Sequence, residues 1–178
     1  MDQLTTKKEG QISPLWLALI GCATITVGSM VKVPLFPVPF TLQTMAVFIV
    51  ALTQSPKQAA LSCIAYLLAA SIGLPVLCGK SNPLWIAGKC GGYLVAFPLA
   101  AFVTAHLVRS CSPLVALTVG QLIIYFFGWC WLAPLFSAQE AFLKGVLLFI
   151  PSDIVKNIFA VRVAAMWHSH SNSGKQGK

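Results

Sequence analysis

The sequence predicts an all-α integral membrane protein of six transmembrane helices, joined on one side by irregular extracytoplasmic loops. Three observations predict it. The chain is 57% hydrophobic and only 9% charged, with a mean hydropathy of +0.82, whereas a soluble domain carries about a quarter charged residues. Six apolar runs follow one another along the chain. Two of the connections between them are rich in proline or glycine and do not read as helix.

A helix crosses the roughly 30 Å of membrane hydrocarbon with about 20 apolar residues. Residues 1–13 form a polar tail, expected to be cytoplasmic, that contains Asp2 and Glu9. No small-residue cleavage site follows it, so the first helix is expected to stay in place as the insertion signal. The first span covers residues 14–31. After it, Lys32-Val33-Pro34-Leu35-Phe36-Pro37-Val38-Pro39 holds three prolines in eight residues and cannot be helical. The second and third spans, residues 40–53 and 59–73, are short at 14 and 15 residues. The connection over residues 74–92 mixes Asn82, Trp85 and Lys89 with four glycines. Two readings of these short helices and apolar loops stay open: backbone dipping inward to line a cavity, or simply tilted packing.

Residues 91–108 and 113–132 supply the fourth and fifth spans, and Pro151 interrupts the last apolar stretch, residues 141–167. Proline breaks a helix interior but suits a first helical position. The sixth span is therefore expected to start at Pro151, leaving residues 138–150 as a separate helix too short to cross. The membrane domain is then residues 14–168, and residues 169–178 form a second cytoplasmic tail. Lys7, Lys8, Lys57, Arg109, Arg162, Lys175 and Lys178 fall on the side of the tails, against Lys32, Lys80, Lys89 and Lys144 opposite. Seven against four places both tails in the cytoplasm by the positive-inside bias.

The net charge of +8 reads as lysines flanking spans, not as a nucleic-acid surface. Six cysteines, at positions 22, 63, 78, 90, 111 and 130, form no CxxC or Cys/His cluster, so no metal is expected. Cys78 and Cys90 flank one loop, and a disulfide between them is left open. The tripeptide Gly79-Lys80-Ser81 looks like the end of a phosphate-binding loop, but five residues, not four, separate the preceding glycine, Gly73, from Gly79. Leu74 and Pro75 also stand where such a loop needs a glycine and an N–H donor. No ATP site is expected. An enzyme is disfavoured because no G-x-S-x-G turn or HExxH pair is present and Asp153 is the one acidic residue within a span. A channel is disfavoured because one anion and one cation on a single helix make no selectivity ring.

Pro151-Ser152-Asp153-Ile154-Val155-Lys156-Asn157 is the most informative segment. A charge inside a span costs about 2.5–3.5 kcal/mol on insertion scales, so it pairs or faces a polar cavity. Asp153, Lys156 and Asn157 are three and four residues apart and project from one helical face. They read either as an internal ion pair or as an acceptor, a cation and an amide offered to a small polar ligand.

Four further strings give the chain a family likeness. Phe36-Pro37-Val38-Pro39-Phe40-Thr41-Leu42-Gln43-Thr44 resembles a P-V-P-x-T-L-Q-T signature, and Ile72-Gly73-Leu74-Pro75-Val76 a G-x-x-G-L-P-V-F stretch. Residues 88–97, GKCGGYLVAF, resemble G-P-T-G-G-Y-L-x-x-F, and residues 149–156 resemble P-F-I-P-G-D-L-x-K. In this order they are similar to BioY, the biotin-binding S component of energy-coupling-factor (ECF) transporters. The resemblance implies a multi-pass bacterial cytoplasmic-membrane protein that captures biotin at the outer face, makes no covalent change and uses no cofactor. It implies as partners an ECF coupling transmembrane subunit and two ATPase subunits. A capture subunit for another small vitamin is the alternative.

The likeness maps a substrate site onto Asn82, Asp153 and Lys156. A ureido ring carries two N–H donors and one carbonyl acceptor, which Asp153 and either Lys156 or Asn157 complement. Lys89, standing where the family has proline, is either a partner for the ligand carboxylate or a solvated loop lysine. Gly91 and Gly92 permit close backbone approach and Tyr93 is placed to stack on the ligand. Gln43 is a polar contact or a helix cap. Ala18 and Cys22, four apart on the first span, offer the small-residue face for the coupling subunit or for packing within the bundle.

Overall fold

A computed structural model describes residues 13–34 and 36–173. The first twelve residues and residues 174–178, with Lys7, Lys8, Lys175 and Lys178, lie outside the described residues, as do the side chains of His168 and His170.

Three helices start the same way. Ser13-Pro14, Ser55-Pro56 and Ser112-Pro113 open α1 (Pro14–Met30), α3 (Pro56–Ser71) and α5 (Pro113–Leu132). Proline fits the first helical position because that N–H has no partner in the helix. The Ser13 and Ser112 hydroxyls accept from the N–H groups of Trp16 and Val115. Between them run α2 (Gln43–Thr53) and α4 (Gly91–Leu107), which travel the opposite way. The proline-rich connection is a small hairpin, Lys32–Val33 paired antiparallel with Phe40–Thr41. Residues 73–90 wind through two turns with positive φ at Gly73, Cys78 and Gly79, then a single 3-10 turn over Trp85–Ala87.

The last connection departs from expectation in its local form. In place of one 13-residue helix there is a five-residue helix, α6 (Ala138–Phe142), running into a π-helical turn, Leu143–Leu147. The reason is packing: the Tyr93 hydroxyl donates to the Gly145 carbonyl at 2.7 Å, taking that oxygen as its acceptor. Helix α7 (Ile150–Ser173) then starts with Pro151 in its first turn.

Among the described residues α5 is the one helix long and apolar enough to cross a membrane by length and composition alone; α1, α2 and α4 are apolar but shorter. The distribution of polarity is inverted relative to a soluble bundle. Leu122, Phe126, Ile154, Phe159 and Met166 point outward, while Ser29, Gln43, Ser62, Gln121, Asp153 and Lys156 are buried. Helix α2 is the central post, with Val47 and Phe48 fully enclosed.

Gly21 of α1 lies against the Ser62 side chain, and the Gln54 amide donates to the Leu17 carbonyl at 2.9 Å. Ala18 is 2% exposed and so faces into the bundle, while Cys22 is half-buried. The structure thus places Ala18 on the packing side of α1.

Candidate substrate-binding site

The hairpin, the 74–90 loop and the α5–α7 connection meet at one end of the bundle. Lys89 Nζ sits 4.0 Å above the Phe36 ring and 5.6 Å from that of Phe136, and the two rings meet edge to face at 6.0 Å. The Trp131 indole donates to the Gly88 carbonyl at 3.0 Å. Contacts from three separate connections therefore converge on Lys89 and its neighbours.

Behind them is a cavity of about 410 Å³, within the roughly 300–1,000 Å³ usual for small-molecule sites. The short α2 starts at its wall, so Gln43 and Thr44 face it. Of the residues expected at a ligand site, Gln43, Asn82, Lys89, Tyr93, Asp153 and Lys156 are brought together here. Apolar walls come from Trp85, Leu94, Phe97 and Phe149.

Asp153 and Lys156 form a buried ion pair, Nζ to Oδ1 at 2.7 Å, and the pair lines the cavity. The segment thus forms an internal ion pair that also borders open space. Lys156 also lies 3.9 Å above the Phe40 ring and 3.5 Å from Thr44 Oγ1. The other carboxylate oxygen, Oδ2, accepts from the Tyr125 hydroxyl at 2.6 Å and the Gln121 amide at 3.0 Å. Removing two charges from water is costly, and three charge-assisted donors are the geometry that offsets it.

A chain of hydrogen bonds, running from the buried Gln43 out to the exposed Lys32, pins the loop over this cavity. The Gln43 amide donates to the Tyr66 hydroxyl at 3.0 Å, and Tyr66 donates to the Val76 carbonyl at 3.2 Å. The Ser29 hydroxyl donates to the same carbonyl at 2.6 Å and accepts from the Cys78 N–H at 3.2 Å. Lys32 Nζ closes the chain on the Cys78 carbonyl at 2.9 Å. Gln43 is therefore not a helix cap: Leu42 holds the N-cap position of α2, and no side chain caps it.

Other expected residues lie elsewhere. Asn157 does not line the cavity; it faces a groove between α5 and α7, with its Oδ1 buried and unpartnered. Gly91 and Gly92 do not line it either. They bring the start of α4 against Trp131 and the Ile86 and Phe127 carbonyls, where a Cβ has no room. Sequence reasoning missed Gln121, Tyr125, Thr44 and Lys80, which do line it. Gln121 and Tyr125 carried one signal: a glutamine and a tyrosine four apart in the apolar α5 share a helical face.

Cys78 and Cys90 are free thiols, and both line the cavity. Burial raises the Cys90 thiol to about 11, with the neighbouring Cys78 adding to the rise and Lys89 opposing it. Cys78 is raised by burial against the pull of Lys32 and Lys80. Only the thiolate reacts with alkylating agents. Iodoacetamide labelling of Cys90, followed peptide by peptide, is expected to rise about tenfold per pH unit from 7 to 10. A plateau by pH 8.5 would contradict the burial.

Similarity to known proteins follows the same lines. The model of the BioY family matches residues 2–172. A probable biotin transporter BioY of Pyrococcus horikoshii is 39% identical over 158 residues, 88% of this chain and 94% of that protein. The biotin transporter BioY of Thermotoga maritima is 34% identical over 80% of this chain and 88% of its own length. A crystal structure of the S-component for biotin from an ECF-type ABC transporter superposes with a TM-score of 0.81 at 23% identity, covering 93% of this chain and 95% of the other. At that identity the superposition speaks for the fold.

Proposed function

The chain belongs to the BioY family, and from that premise we propose that it captures biotin as the substrate-specific subunit of an ECF-type ABC transporter. The observation that carries this reading is the Asp153–Lys156 pair set in the wall of an otherwise largely apolar cavity. It offers a ureido ring a carboxylate acceptor and an ammonium donor, and apolar walls suit the thiophane ring. Lys80 and Lys89, both on the cavity lining, are the cations available to the valerate carboxylate, and Lys89 leaves its aromatic seat to reach it.

The six helices α1 to α5 and α7 then lie in the cytoplasmic membrane with both tails inside, the eleven-residue α2 reaching only part of the way across and continuing into the hairpin. What supports this is the outward display of Leu, Ile and Phe side chains around a polar interior; in water such a surface would aggregate. The cavity end faces outward, where biotin is met. The protein performs no covalent chemistry and takes its energy from a coupling transmembrane subunit and two ATPase subunits.

Titration calorimetry on the detergent-purified chain should give one biotin per chain. Proteoliposomes containing this chain alone should bind biotin without accumulating it against a gradient, and accumulation in their absence would remove the need for ATPase partners. Tighter binding of a different vitamin would redirect the substrate assignment while leaving the transport role in place.

A further inference from the structure

We propose that Gln121 is a specificity-determining residue of this site, its side-chain oxygen accepting one of the two ureido N–H groups of the substrate. The inference rests on the biotin reading and deepens it. A carboxylate offers about four lone-pair sites. Tyr125 and Gln121 fill Oδ2 of Asp153, and Lys156 takes one place on Oδ1. Asp153 has room for one further donor.

A cyclic urea brings two N–H groups, so its second N–H needs another acceptor in the same cavity. Gln121 stands between that cavity and the α5–α7 groove, lining both, and is 5% exposed. Its orientation is set by chemistry: the amide nitrogen must face the carboxylate, which turns Oε1 away from Asp153. That oxygen is one of two buried side-chain polar atoms without a hydrogen-bond partner among the described residues; the other, on Asn157, lies outside the cavity. Oε1 is closed in, and a donor reaches it after a small turn of the amide about its last bond, which is a soft torsion. An acceptor held dry and unpaired is worth most to the ligand that satisfies it, and it penalises an analogue that lacks the donor.

Gln121 also donates to Asp153, so a loss of affinity alone does not separate contact from positioning. A cycle between protein and ligand does. Biotin and its two derivatives, each methylated on a different ureido nitrogen, are titrated into the full chain and into Gln121→Met, with thermal unfolding run on both. Biotin affinity is expected to fall about tenfold in the variant. One N-methyl compound should then bind wild type and variant equally, while the other keeps the tenfold difference. Loss by the same factor for all three ligands would overturn the proposal and leave Gln121 a positioning residue for Asp153; unchanged biotin binding would overturn it outright. Failure of wild type to bind biotin at all would instead sink the substrate reading on which it rests. Should Gln121→Met not fold, Gln121→Asn keeps the amide, withdraws it by one methylene and is expected to give the same pattern.

Discussion

Asp153→Asn is expected to lose biotin binding by a hundredfold or more, a change of about 3 kcal/mol. Two losses add. The ligand loses a charged acceptor, and hydrogen bonds to charged groups are worth about 1.5–3 kcal/mol. Lys156 also loses its counter-ion while remaining 6% exposed, and breaking one side of a buried pair costs about 3–5 kcal/mol. The second effect acts on the fold as well, so the single variant should unfold at lower temperature. A paired variant separates the two. Asp153→Leu with Lys156→Met removes both charges, and its thermal stability in detergent should return toward wild type while biotin binding stays lost. If the double variant regained binding along with stability, the pair would be a structural brace and the cavity would need another recognition group.

Gly128→Ala is expected to damage the site from a distance. A Cβ at this position would overlap the Tyr93 ring, and Tyr93 is 9% exposed. The ring has little freedom to withdraw, because its hydroxyl holds the Gly145 carbonyl at 2.7 Å and a Cβ on Gly145 would also meet that hydroxyl. Overpacking of this kind costs about 1–3 kcal/mol. Because Tyr93 also lines the cavity, biotin affinity should fall with stability. Gly79→Ala is the control: nothing lies within 4 Å of its Cβ, and the cost is the left-handed φ of 73°, about 1 kcal/mol. Melting temperatures and calorimetry on both variants test the comparison, and a Gly128→Ala protein as stable as wild type would show that α4 and α5 can part.

Several elements were readable before any coordinates because local chemistry dictates them. Three prolines in eight residues forbid a helix before Phe40, and Pro151 opens the last helix, whereas α3 starts at Pro56, three residues ahead of the span expected from residue 59. The ion pair was legible too, since residues three apart on a helix must be neighbours. The π turn over Leu143–Leu147 was not. It depends on a tyrosine 52 positions away in the chain, and no local pattern reports a partner at that distance.

By itself the sequence determined the apolar composition, the helix boundaries next to Pro14, Pro113 and Pro151, the family, and the presence of Asp153 and Lys156 on one helical face. Tertiary structure alone decided which way each face turned. It left Asn157 out of the cavity that Asp153 and Lys156 line, turned Ala18 inward, and brought Gln121 and Tyr125 of α5 onto the far oxygen of Asp153. The physical reason is that helical periodicity fixes which residues share a face, whereas the neighbour that face meets is set by how helices distant in sequence fill space against one another.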